Sequence, residues 1–195
     1  MTIPSQNCTA CKNYYIEVHK TEDLVEVAAL VKECGKPVSP RGKGTIEIRN
    51  VVVRVDPDVS MEPLITNMAF ADKRVKYIMH KMHFELNEIK KLLHSEPATR
   101  RARMIEPDYH PNNIACVQIM QFFRRDGCLE VTAFLRSSDT INVLPLDIYA
   151  FQRLQADVLG GEKGVSRKKP GDMSFNMDKG PITIHIASAH IYIED

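Results

Sequence analysis

The sequence predicts an α+β fold, a twisted mixed β-sheet with helices packed on it. Three observations point there. Apolar residues repeat at helical spacing in some segments and alternate in others. The two kinds of segment follow one another without strict βαβ order. Asp126-Gly127 joins two alternating runs, the strongest short hairpin signal in the chain. The 195 residues suit one domain, 1–195, large enough to bury roughly 70% of its unfolded surface.

Thr21-Glu22-Asp23 opens a helix that carries Leu24, Val25, Val27, Ala28, Leu30 and Val31, and Gly35 stops it. KPVSPRGKG reads as a loop, and the β-branched alternation from Thr45 to Val55 as a strand. Pro63 begins a short helix ending near Phe70. A longer helix spans Asp72 to Leu93, with Val75, Ile78, Met79, Met82, Leu86, Ile89 and Leu93 in one stripe. At about 100° per residue, Glu85 lies about 60° from the stripe centre and Glu88 about 120° away. Glu85 is thus at the edge of the buried face.

EPATRRARMIEPDYHPNN reads as a connecting loop. Ile114–Phe123 and Cys128–Leu135 form the hairpin strands, and a helix runs from Pro145 to Leu159, closed by Gly160. GGEKGVSRKKPGDMSFNMDKG is a further loop. Ile182 to Ile193 is the last strand, apolar on both faces at its end, as in a central position. No internal repeat is visible.

Charge and cysteine usage exclude several classes. With 26 Lys+Arg against 25 Asp+Glu, a net charge of +1 lacks the footprint of a nucleic-acid binder. No apolar run approaches the roughly 18 residues that span a bilayer, and MTIPSQNC is not a signal peptide, so a cytoplasmic protein without a membrane partner is expected. Cys8, Cys11, Cys34, Cys116 and Cys128 are odd in number and scattered, which argues against a disulfide framework. Cys8-x-x-Cys11 has no second pair and reads as two ordinary thiols; no metal site is expected.

The chemistry-bearing stretch runs from Cys116 to Asp147. Cys116 lies on a strand, and the Asp126-Gly127 hairpin follows. Arg136-Ser137-Ser138-Asp139 comes twenty residues after Cys116, then Leu144-Pro145-Leu146-Asp147-Ile148. The chain later carries His190-Ile191-Tyr192. In this order the motifs resemble the thymidylate synthase family, which includes the pyrimidine-nucleotide hydroxymethylases. The resemblance covers about 45 residues and is ungapped through Asp147. It implies a thymidylate-synthase-like sheet and a homodimer with shared active sites. More loosely, Arg41 resembles the family's phosphate-binding loop, and Thr99-Arg100-Arg101 the arginine pair lent to the neighbouring subunit.

The roles follow residue by residue. Cys116 is the expected nucleophile at C6 of a pyrimidine, as a thiolate favoured by nearby arginines. Arg41, Arg136, Ser137 and the partner's Arg100 and Arg101 would bind the substrate phosphate, which arginine suits through its fork geometry. His190 and Tyr192, two apart on a strand, point to one face and by resemblance hold the sugar. Asp139 by resemblance holds the pterin ring, and Glu85 positions or activates a water.

Asp147 departs from the Asn usual in uracil-specific members. A carboxylate accepts from the cytosine N4 amino group, so cytosine is the expected base. The chain has no Trp and ends three residues after Tyr192, short of the family's long C-terminal tail. Both features suit a wetter site, where water rather than hydride completes the reaction. The expected activity is 5-hydroxymethylation of a cytidine monophosphate (CMP or dCMP) with 5,10-methylenetetrahydrofolate. The alternatives are a thymidylate synthase acting on dUMP and a nucleotide-binding protein without turnover.

Overall fold

A computed structural model of the chain describes residues 13–81, 86–105, 115–160 and 177–193, without the side chains of Arg41 and Lys81. The strands are β1 (Tyr14–Val18), β2 (Lys36–Val38), β3 (Thr45–Val55), β4 (Arg103–Ile105), β5 (Val117–Arg125), β6 (Cys128–Leu135), β7 (Ser138–Asp139) and β8 (Asp178–Tyr192). The helices are α1 (Val25–Cys34), α2 (Met68–Lys81), α3 (Leu86–Ser95) and α4 (Leu144–Leu159). The strands form one mixed sheet in the order β1-β3-β8-β6-β5-β4, with β2 on β3 and β7 on β8. This is the expected α+β architecture. No helix among the described residues is long and apolar enough to cross a membrane.

β8 is central, antiparallel to β3 and parallel to β6, so both of its edges are hydrogen-bonded. Its Ile182, Ile184 and Ile186 face the core with Val51, Val53 and Val55 of β3 and Val131, Ala133 and Leu135 of β6. The hairpin turn places Asp126 at φ 48° and Gly127 at φ 80°, the left-handed pair that a two-residue turn needs. Helices α1 and α4 pack on the sheet, and α2 and α3 pack on α4. Helix α4 is therefore buried almost all round, including Asp147 and Gln155. The Gln155 amide donates to the carbonyls of Leu129 (2.6 Å) and Gly180 (2.9 Å), beside the point where the β6–β8 register shifts.

Several boundaries differ from the sequence expectation. Thr21–Leu24 is a 3₁₀ turn before α1, and the Pro63 helix is only the 3₁₀ turn Glu62–Leu64. Helix α2 starts at Met68 rather than Asp72 because Asn67 caps it, its Oδ1 accepting from Phe70 N at 3.1 Å. Met79, placed in the buried stripe, is exposed. Strands β2 and β4 fall in segments read as loops; each is three residues long, too short for alternation to register. Gly35, directly after α1, has no room for a side chain, since a Cβ there would collide with Val31 O and Ile46 Cγ2.

A crease crosses the sheet. Core-facing residues step by two along each strand until Ile48 and Val51 of β3, Ile186 and Ala189 of β8, and Val117 and Met120 of β5, where the step is three. These points are neighbours, because Val51 pairs with Ile186, Ile186 with Leu135, and Leu135 with Val117. Asn50, at φ 58°, turns β3 at that line. Before the crease, the sheet face opposite the core carries the cross-strand row Tyr15, Val52, His185, Phe134, Ile119 and Ile105. Phe134 and His185 stack there at 4.8 Å.

Asn50 is exposed, so its backbone can be tested without disturbing packing. Asn50→Gly should hold its urea stability, whereas Asn50→Val should lose about 1–2 kcal/mol, the cost of a left-handed β-branched residue. Equal stabilities for the two variants would remove this strained residue as the cause of the crease.

Candidate active site

The crease decides which side chains become available. Past it, Ile48, Ala189 and Ile191 turn inward, and the alternate positions Glu47, Arg49, Ser188, His190 and Tyr192 share the other face. At this end of the sheet the chain also brings Cys116 to Arg136 and Ser137. Cys116 is not in the strand itself but in a bend directly before Val117, the first residue of β5. Its carbonyl accepts from Arg136 N at 2.9 Å, so the β5–β6 ladder continues for one rung beyond the hairpin proper.

That rung aligns the side chains. Cys116 Sγ lies 3.7 Å from Ser137 Oγ, and the thiol is half-buried. Arg136 donates through Nη1 to Ser137 Oγ (3.3 Å) and through Nε to Ala115 O (3.3 Å). A thiol, a hydroxyl and an exposed guanidinium thus meet, although twenty residues separate Cys116 from Arg136.

His190 and Tyr192 share a face and touch edge-to-face, with ring centroids 5.4 Å apart. Lys43, from the SPRGKG segment, sits over the Tyr192 ring at 5.9 Å. Asp139 pairs in register with His190, and its carboxylate holds the turn into α4. Oδ1 accepts from Ile141 N (3.0 Å) and Asn142 N (3.1 Å), and Oδ2 accepts from Asn142 Nδ2 (2.9 Å). Lys43 and Arg49 were missed from sequence; the signal for Arg49 is the Arg49-Asn50 break in an otherwise apolar alternation.

Asp147 lies in the first turn of α4 with 0% exposure. Its Oδ1 accepts from both Nε (2.8 Å) and Nη2 (2.7 Å) of Arg74 on α2, whose side chain is 18% exposed. Asp147 Oδ2 has no hydrogen-bond partner; among the described residues, the same is true of one other buried side-chain atom, Ser138 Oγ. Burial pushes the Asp147 carboxyl up to about 6, and Arg74 holds it from rising further. Arg74 was also missed. Its signal is that Ala71, Arg74 and Ile78 follow helical spacing, which puts a cation on the buried stripe.

The remaining candidates lie elsewhere in the chain. Arg100 and Arg101 are exposed just before the edge strand β4, where Arg101 pairs with Glu96 and Arg100 O accepts from Gln121. The backbone of Arg41 lies in the 3₁₀ turn Pro40–Gly42. Glu85, Cys8 and Cys11 lie outside the described residues. A cleft of about 320 Å³ lined by Val59, Tyr149, Gln152, Arg153 and Lys179, among others, contains none of the candidates.

Asp147 makes a pH prediction with a definite sign. Its folded pKa of about 6 stands above the ordinary 3.8, so the folded state holds this proton more tightly. The group's stabilising contribution is full below about pH 4 and is lost as pH rises through about 6, in all about 3 kcal/mol at 1.36 kcal/mol per unit. Urea stability of wild type relative to Asp147→Asn should fall by that amount between about pH 4 and pH 7. Parallel pH curves for the two proteins would contradict it.

No protein-family model matches the chain, and no curated protein matches it in sequence.

Proposed function

We propose that the protein transfers a one-carbon unit to C5 of a cytidine monophosphate, CMP or dCMP, in a thymidylate-synthase-like homodimer. One observation carries this reading. The thiol of Cys116, the guanidinium of Arg136 and the two buried side-chain polar atoms without partners among the described residues, Ser138 Oγ and Asp147 Oδ2, all belong to the motif stretch from Cys116 to Asp147. Buried polar groups in native proteins are nearly always paired, so two exceptions within one short segment favour a bound ligand there.

The residues divide the work as follows. Arg136 and Ser137 receive the phosphate, with Arg41 and the partner's Arg100 and Arg101 adding charge. His190 and Tyr192 orient the sugar from the face exposed past the crease. Asp147 accepts the cytosine N4–H and stabilises a proton on N3. The Cys116 thiolate adds to C6, which raises electron density at C5 (covalent catalysis). 5,10-Methylenetetrahydrofolate is the second substrate and supplies carbon at the methylene oxidation level. Asp139 Oδ2, with one internal hydrogen bond, retains a lone pair for a ring N–H of that substrate. Loss of the C5 proton, addition of water, positioned by Glu85, and release of Cys116 complete the balance. Cytidylate, methylenetetrahydrofolate and water give 5-hydroxymethylcytidylate and tetrahydrofolate.

The dimer belongs to the same reading. The row from Tyr15 to Ile105 leaves an apolar band across the sheet face opposite the core, with Tyr15 57% and Phe134 38% exposed among the described residues. A second copy stacked there would cover it. Arg100 lies at its rim, tied to Gln121 of that face.

Incubation with CMP, dCMP, UMP or dUMP plus methylenetetrahydrofolate, read by mass, should yield a hydroxymethylated cytidylate and tetrahydrofolate. Thymidylate with dihydrofolate would establish a synthase instead, and binding without product a nucleotide-binding protein. Cys116→Ala should abolish turnover while nucleotide binding largely survives; retained activity would remove Cys116 as nucleophile. Mixing Cys116→Ala with Arg100→Ala should restore part of the activity, since each mixed dimer can hold one intact site. No recovery after demonstrated subunit exchange would argue against a shared site.

A further inference from the structure

Asp147 is the base-reading group of the proposed function, yet no part of it reaches solvent. What covers it is chemically specific. Arg74 Nε and Nη2 both donate to Oδ1, at 2.8 and 2.7 Å. A guanidinium edge presents two N–H groups on neighbouring nitrogens of a planar cation. Cytosine protonated at N3 presents the same edge, N3–H beside N4–H, to a carboxylate. Uracil presents one donor and one acceptor, and its O4 would face the carboxylate.

The element bearing Arg74 is seated on α4 and leaves much of its apolar surface exposed. Of the described apolar α2 side chains Ala71 and Ile78 are buried and Val75 is half-buried against the core, while Met68, Phe70, Tyr77 and Met79 are exposed. The helix packs mainly on α4, and Arg74 also lies over the Tyr77 ring at 5.3 Å.

We propose that Arg74 is an internal stand-in for the cytosine edge: it occupies Asp147 until a cytosine nucleotide displaces it and lifts α2. This rests on the reading of Asp147 as the base-recognising group. The contact then acts as a filter. A ligand that offers Asp147 two donors replaces what the carboxylate loses, whereas a uracil nucleotide would leave it facing a lone pair. Affinity for cytosine nucleotides is also lowered by the fraction of molecules in which α2 is seated.

Two measurements with CMP and dCMP test this. In wild type, saturating cytidylate should speed amide hydrogen exchange across residues 68–81, the reverse of ordinary ligand protection. By equilibrium binding, Arg74→Met should hold CMP or dCMP about tenfold more tightly than wild type, with Arg74→Lys, a single point donor, in between. The exchange experiment needs no variant, so a misfolded Arg74→Met does not remove the test. Unchanged or slower exchange in α2 on binding, or weaker cytidylate binding by the Arg74 variants, would overturn the stand-in and leave the base reading intact. If no pyrimidine nucleotide binds to wild type, the base reading fails and the stand-in with it.

Discussion

Strand β8 must satisfy two ladders at once, and most of the molecule is arranged around that demand. Its backbone bonds β3 antiparallel on one edge and β6 parallel on the other. Its first part is an isoleucine face in the core; its last part carries Ser188, His190 and Tyr192 toward the site. One strand can do both only because the inward phase changes at the crease. Without that change, alternation would carry the Ile182–Ile186 face straight on into Ser188 and His190, burying polar side chains where no partner waits. Asn50 allows the change cheaply on β3, since Asn tolerates left-handed backbone better than the valines beside it.

The Arg74–Asp147 pair shows a different balance. Two charges taken from water lose more than a single contact usually returns, and a carboxylate with one bare oxygen is a poor bargain for stability alone. A Leu or Met at either position would pack α2 on α4 without that cost. Its presence is better understood through what the two groups do than through how firmly they hold the fold.

Much of this was legible in the sequence, for identifiable reasons. Gly127, with φ of 80°, and Gly160, with φ of 106°, stand where their neighbours require left-handed backbone, so the hairpin and the end of α4 could be read closely. Apolar runs on both faces marked β8 as central. The losses have physical causes too. Three-residue strands carry no periodicity, and the cap at Asn67 sits outside the stripe that defines its helix. The motif residues Cys116, Arg136 and Ser137 do meet, because a hairpin brings its two ends together by geometry alone. Arg74 was invisible as a site residue because its partner lies 73 positions away, and no local pattern encodes an ion pair at that distance.

The central place of β8 also bears on how the chain assembles. The β5–β6 hairpin can close as soon as its short turn is made, and α4 follows it directly in sequence. Strand β3 is another matter, because its long ladder is with the last of the described strands. On a ribosome, Val51, Val53 and Val55 emerge long before Ile186, Ile184 and Ile182, their register partners. Without β8 the strand ladders fall into two sets, β3 with β1 and β2, and β5 with β4 and β6, each with an unpaired edge. Its arrival is a single closing event, which welds the halves, sets the crease and builds the site together. Unpaired edges of this kind are where mispairing starts, so the chain lacking β8 is the form most open to it.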